Sequence, residues 1–349
     1  MSKHLVPLEP CLDPLLSCII LPNIGDYTRR FFSLRCNPFH QEGETASHAW
    51  FDSYGIMSGP QREKFFSCNF CLLVSLLYPD ADLEHLRPAM DFMLWLFAFD
   101  DMADLGDFRL EGLKRAVDIT MNVLQKPDDV QPELKIAATL HSFFDRMRRN
   151  GSPQAIKHFV EATEKYTRAI TQEMADKHTG HVQTLEEYRK CRQDTSGVKL
   201  SLAALEYAHK IDMPDQVLHD PTISELSLAA NEILTWANDI FSFRNEQARG
   251  HTHNLVYILM WHNQLGVQEA VNYANHLIEK RVDDYLQAKS SLDSFGPYLD
   301  GEITRYIQGI EYCIQACIDW TFMTIRYFGT DTAKVKETGV VKLAYTADL

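Results

Sequence analysis

Apolar residues along this chain recur every three to four positions, and the two-residue alternation of a half-buried strand is almost absent. The period predicts a first helix from Ser58-Gly59-Pro60 to about Tyr78, with Pro60 in its first turn and Pro79 closing it. Others are predicted over 83–103, 108–125, 132–149 and 153–177. Thr184 with Glu187 and Thr222 with Glu225 have capping-box spacing and start helices over 185–209 and 223–247. Three more fit 252–263, 267–290 and 302–328, the last ended by Gly329. Turn residues separate them, as in Asn150-Gly151-Ser152-Pro153. No repeat, low-complexity stretch or linker divides the chain. The pattern implies one all-α domain over 31–329, a loosely ordered segment over 1–30 and a flexible tail over 330–349.

Composition narrows the functional classes. With 45% hydrophobic residues, 19 Phe, 14 Tyr and 5 Trp among 349, the chain can bury a large core and is not disordered. Its net charge of −14 repels phosphate backbones, so no nucleic-acid partner is expected. An anionic ligand has to be met by local cations or by metal ions. The longest apolar run, Phe92 to Phe99, is far short of the roughly 20 residues a membrane span needs. The prolines at 7, 10, 14 and 22 and Ser17 interrupt what a signal peptide would keep apolar, so the expectation is a cytoplasmic protein, monomer or homodimer. Eight cysteines in this length are no disulfide framework. Cys68 with Cys71 and Cys313 with Cys317 imitate zinc spacing, but both pairs sit in apolar helical pattern, where Cys reads as a small buried hydrophobe. His178 and His181 read as exposed residues near a helix end.

The chemistry concentrates in two helices. In Phe97-Ala98-Phe99-Asp100-Asp101-Met102-Ala103-Asp104, the carboxylates of Asp100 and Asp104 share a face below Met93, Leu96 and Phe97, and Asp101 points aside. Like charges at that spacing repel unless a cation lies between them, and acids at a helix C-terminus oppose its dipole. Hard oxygen ligands of this kind suit Mg²⁺. In Asn238-Asp239-Ile240-Phe241-Ser242-Phe243-Arg244-Asn245-Glu246, the residues Asn238, Ser242 and Glu246 fall at i, i+4 and i+8. They line an amide oxygen, a hydroxyl and a carboxylate along an otherwise apolar helix, and such a stripe must be satisfied by something.

These residues resemble the motifs of class I terpene synthases. Asp100-Asp101-x-x-Asp104 is similar to the family's aspartate-rich motif, and Asn238 to Glu246 to its second motif, Asn-Asp-x-x-Ser-x-x-x-Glu. Arg192 stands 46 residues before Asn238, where the family keeps a pyrophosphate-sensing arginine, in the setting Tyr188-x3-Arg192-x2-Thr195-x-Gly197 of its sensor segment and helix break. Trp320-x5-Arg326-Tyr327 resembles the C-terminal Arg-Tyr pair. The segment from Gln247 to Asn254 looks most like the sesquiterpene synthases of mushroom-forming (basidiomycete) fungi. Asn245 departs from the pattern, since many relatives carry Lys or Arg immediately before the glutamate.

The resemblance implies a class I terpenoid synthase bundle around an apolar cavity. It also implies an Mg²⁺-dependent enzyme that ionises a prenyl pyrophosphate, farnesyl pyrophosphate in the leading reading, and cyclises the cation to a sesquiterpene. Alternatives are release of a linear alcohol of the linalool or nerolidol type, and a non-catalytic isoprenoid-binding protein. Asp100, Asp104, Asn238, Ser242 and Glu246 would hold the metal. Arg192, Asn238, Arg326 and Tyr327 would grip pyrophosphate, with Thr195, Ser196 or the Gly197 backbone completing the sensor. Phe97 and Trp320 would face the cation, with Phe70, Phe92 and Trp95 as further candidates.

Overall fold

Residues 18–104, 110–177 and 182–343 are described by a computed structural model; the side chain of Asp104 and the residues His178 and His181 fall outside the described part. In chain order the elements are β1 (Cys18–Ile20), α1 (Ile24–Thr28), α2 (His40–Ser53), α3 (Gly59–Ser67), α4 (Phe70–Leu77), α5 (Leu83–Asp104), α6 (Leu110–Gln125), α7 (Lys135–Asn150) and α8 (Pro153–Lys177). They continue with α9 (Leu185–Thr195), α10 (Val198–Ala208), α11 (Asp215–Leu218), α12 (Pro221–Ala248), α13 (Leu255–Asn263), α14 (Val267–Ser290), α15 (Pro297–Trp320), α16 (Thr332–Thr338) and β2 (Val340–Lys342). The all-α class expected from the periodicity is what the chain adopts.

Helix α5 is the hub. Its residues from Ala89 to Leu96 are all buried, so it packs on every side. On one side Phe92, Trp95 and Phe99 join Phe143 of α7 and Phe159 of α8 in an aromatic cluster with centroids 5.1 to 6.4 Å apart. Phe92 and Trp95 are therefore core residues rather than cavity walls. On another side Gly43 of α2 lies so close that a Cβ there would stand 2.8 Å from Met90 Sδ. The buried face of α2 is Gly43, Ser47 and Phe51, mostly small residues, which is why hydrophobic periodicity does not show this helix.

Three helices expected to be continuous are broken or shortened. The one over 59–78 divides at Asn69, which sits left-handed at φ 57°, a conformation Asn tolerates better than most residues. Asn69 Nδ2 donates to the Met323 carbonyl at 2.8 Å, and its own carbonyl accepts from Trp320 Nε1 at 3.0 Å. The break thus clasps the end of α15. The helix over 185–209 divides at Gly197, φ 74°, against Leu96 of α5. The last long helix stops at Trp320 instead of running to 328, leaving Arg326 and Tyr327 on irregular backbone. The Thr184 capping box forms. The Thr222 one does not, because Asp220 caps α12 by accepting from the Thr222 and Ile223 amides ahead of Pro221.

Of the segments expected to be loose, over 1–30 and 330–349, residues 18–30 and 330–343 are described and hold ordered elements. Within the described residues, β1 pairs antiparallel with β2 in the register Cys18–Lys342 and Ile20–Val340. Gln268 of α14 grips Ile20 through its amide, accepting from the backbone N–H at 2.7 Å and donating to the carbonyl at 3.0 Å. Arg29 forms an ion pair with the buried Asp319, one residue before the end of α15.

Candidate active site

Arg192 emerges from the last turn of α9 beside the middle of α12. Its Nε and Nη2 donate to Asp239 Oδ1 at 3.2 and 2.9 Å, and Nη2 also reaches Asn238 Oδ1 at 3.1 Å. Asp239 is fully buried. Its second oxygen accepts from the Tyr188 hydroxyl and, at 2.6 Å, from the Leu255 amide. Burial alone would disfavour the Arg192 charge, but Asp239, Tyr188 and Glu246 outweigh it and hold the group well above the ordinary guanidinium range. The Asn238 amide passes the network on by donating to the Tyr327 hydroxyl at 2.8 Å.

The C-terminal pair reaches the other motif. Arg326 forks onto Asp101, with Nη2 at 3.0 Å from Oδ1 and Nη1 at 3.4 Å from Oδ2, and lies 3.8 Å from Asp100. Asp101, expected to point aside, is thus the acid that meets the C-terminal arginine. A helix wheel places Asp101 off the Asp100 face but says nothing of where Arg326 arrives. Asp100 accepts instead from the buried Tyr166 hydroxyl of α8 at 3.2 Å. The acids raise the Arg326 pKa despite its burial, and burial pushes the Tyr327 phenol up to about 12.

Beneath Arg326 lies an aromatic shelf. Phe70 and Phe97 stack at 4.0 Å and 18°, and Trp320 stands 5.9 Å from each. The guanidinium carbon is 4.8 Å from the Phe97 centroid and 5.7 Å from that of Phe70. Phe70 therefore belongs with Phe97 and Trp320. A positive group already rests on this shelf, which shows what charge its π faces accept.

On the next turns of α12, Ser242 Oγ is buried and makes no hydrogen bond of normal geometry. Glu246 accepts from Asn254 Nδ2 at 2.9 Å. Burial, then the nearby Asp239 charge, push its carboxyl up to about 7. A buried hydroxyl turned toward a carboxylate that is costly to ionise can hold a cation with it, and the amide, hydroxyl and carboxylate set suits a hard one. Asn238 would then exchange its arginine contact for the ion. Thr195 lies 3.5 Å from His253 Nε2, and Ser196 Oγ accepts from the Val198 amide at 3.3 Å. The paired cysteines are unbridged thiols, with Cys68, Cys71 and Cys313 buried. Sequence reasoning passed over Asp239, Tyr166 and Asn254, whose partners lie on other elements of the fold.

Residues 91–284, which hold Arg192, both acidic motifs and α12, match the family model for terpene synthase family 2, C-terminal metal binding. The chain belongs to the terpene synthase family. It is 38% identical over 306 residues to sesquiterpene synthase 3 of Postia placenta, covering 88% of this chain and 83% of that one. Sesquiterpene synthase Agr1 of Cyclocybe aegerita is 33% identical over 96% of both chains, and alpha-muurolene synthase of Coprinopsis cinerea 32% over 94% and 78%. Solved structures share the fold at lower identity. An α-eudesmol synthase superposes with a TM-score of 0.74 at 18% identity, covering 83% of this terpene synthase and 97% of that chain. The linalool/nerolidol synthase of Streptomyces clavuligerus gives 0.72 at 20%, over 83% and 98%. No helix among the described residues is long and apolar enough to cross a membrane.

Proposed function

We propose that this terpene synthase ionises farnesyl pyrophosphate in an Mg²⁺-dependent reaction and cyclises the cation to a sesquiterpene. The observation that carries this reading is a set of linked contacts joining all four motifs. Asp101 meets Arg326, the adjacent Tyr327 meets Asn238, and Asn238 meets Arg192 and, through it, Asp239. Relatives named sesquiterpene synthases cover nearly the whole chain and favour the fifteen-carbon substrate class.

Asp100 with Asp104 on α5, and Asn238, Ser242 and Glu246 on α12, would hold the metal. Bound there, Mg²⁺ supplies Lewis-acid neutralisation of the charge that builds on the departing pyrophosphate. The protein's own part is a change of partners. Arg192 and Arg326, now paired with Asp239 and Asp101, turn charge-assisted hydrogen bonds toward phosphate oxygens, and Tyr327 adds a hydroxyl donor. These contacts strengthen as negative charge accumulates, so they lower the barrier to ionisation rather than merely binding substrate. Phe70, Phe97 and Trp320 then offer π faces to the allylic cation and exclude water from it.

The test is incubation with geranyl, farnesyl and geranylgeranyl pyrophosphates, with and without Mg²⁺, reading released pyrophosphate and products by gas chromatography–mass spectrometry. Farnesyl pyrophosphate should give cyclic hydrocarbons only with the metal present. Linear alcohols as main products would refute cyclisation, and no pyrophosphate release from any of the three would refute the reading as a whole.

A further inference from the structure

Arg326 and Tyr327 sit on backbone that belongs to no helix. Local bonds hold it within its own turn: the Arg326 amide donates to Thr324 Oγ1 at 3.1 Å and the Gly329 amide to the Ile325 carbonyl at 2.9 Å. The tie to the helical bundle comes from α12. Asn238 Nδ2 donates to the Tyr327 hydroxyl, and seven residues on, two helical turns away, Asn245 Nδ2 donates to the Tyr327 carbonyl at 3.0 Å and lies 3.4 Å from the Arg326 carbonyl. No other donor among the described residues reaches those two carbonyls. The orientation of the Asn245 amide is dictated by its partners, since carbonyls only accept and the NH₂ must face them.

We infer that Asn245 is a positioning residue for the Arg326–Tyr327 pair, tying its backbone to the helix that carries Asn238, Ser242 and Glu246. The inference rests on the function proposed above. Taking up pyrophosphate requires the Arg326 guanidinium to leave Asp101 while its backbone stays in place. Asn245 fixes that backbone from the rung adjacent to Glu246, so the C-terminal pair moves with α12 or not at all. A neutral amide does this without adding charge next to Glu246. Leucine has similar bulk and no donor, and aspartate would turn acceptors toward acceptors.

The test is a double-mutant cycle of wild type, N245L, R326Q and N245L/R326Q, followed by kinetics with farnesyl pyrophosphate, calorimetric binding of pyrophosphate with Mg²⁺, and melting temperature. Since an ångström of misplacement can cost about a hundredfold, N245L should lower kcat/KM by about 10- to 100-fold and weaken pyrophosphate binding. In the R326Q background it should cost several-fold less than in wild type, because only Tyr327 is left for it to position. N245Q, which keeps the donor, should recover part of the loss. If N245L fails to fold, N245A carries the same cycle. Additive losses, or unchanged pyrophosphate affinity in a folded N245L, would overturn the inference alone. A wild type inert toward every prenyl pyrophosphate would overturn the function and this inference with it.

Discussion

Asp239→Asn is the sharpest probe of how Arg192 is held. Asp239 has no exposed surface, and both oxygens are committed: one to Arg192 Nε and Nη2, the other to the Tyr188 hydroxyl and the Leu255 amide. Asparagine has one acceptor oxygen and one NH₂. Turned one way, its NH₂ faces the Leu255 N–H; turned the other, it faces the guanidinium. Either way a buried donor loses its partner, costing about 1–3 kcal/mol, and Arg192, only 15% exposed, loses its counter-ion. Breaking a buried pair in this manner costs about 3–5 kcal/mol in all. For 349 residues the unfolding entropy converts each kcal/mol to roughly 1.4 °C, so the melting temperature should fall by about 4–7 °C. Pyrophosphate affinity should fall too, since the guanidinium is no longer aimed. Scanning calorimetry and pyrophosphate titration read the two effects separately. A D239N protein that melts within 1 °C of wild type and binds pyrophosphate normally would refute the assignment of Asp239 as the group that fixes Arg192.

Three further variants test other parts of the site and fold. Glu246→Gln removes a carboxylate that burial and Asp239 already disfavour. The metal-free protein should therefore melt no lower, while the Mg²⁺ needed for half-maximal rate rises at least about tenfold; lower stability with unchanged Mg²⁺ dependence would leave Glu246 as a structural residue only. Phe97→Leu loses the stack on Phe70 and the face beside Arg326, so product ratios should shift by about tenfold if roughly 1–2 kcal/mol of cation stabilisation is lost; an unaltered product profile would confine Phe97 to packing. His158 lies 2.8 Å from Glu206 and 2.9 Å from Asp215. Burial opposes its charge but the two acids prevail and raise its pKa. Its contribution is then fully present below about pH 6.5 and is lost as pH rises through the higher folded value. Wild type should lose more stability than H158Q between pH 6 and pH 9, and parallel melting curves would contradict this.

The long helices were legible because their apolar stripes follow one period, and α5, α8, α12 and α14 begin and end within a few residues of expectation. What escaped was tertiary. Helix α2 buries glycine and serine, which no hydrophobic pattern reports. The break at Asn69 depends on what α15 offers it across the bundle. At the site, spacing brought out Asp100, Asn238, Ser242 and Glu246, since one face of a helix is a local property. The choice of Asp101 as the partner of Arg326 and the role of Asp239 depend on where other helices arrive. Asn245 was visible as a departure from the expected cation, and the two carbonyls it meets give that departure a physical sense.

The β1–β2 pairing has a consequence for the order in which the molecule assembles. Strands at 18–20 and 340–342 cannot meet until nearly all the intervening chain has left the ribosome. Arg29 likewise waits for Asp319, and the carbonyls that Asn245 grips belong to residues made some eighty positions later. The helices from α5 to α14 can dock as they emerge, through contacts near in sequence, whereas closure of this contact between distant strands carries the largest loop-entropy cost and comes last. During synthesis the arginine sensor and both acidic motifs are therefore in place before Trp320 and Arg326 close over them. A nascent chain halted before residue 297 lacks α15 and should expose the face of α4 that this helix covers, an apolar surface on which a chaperone would be expected to act.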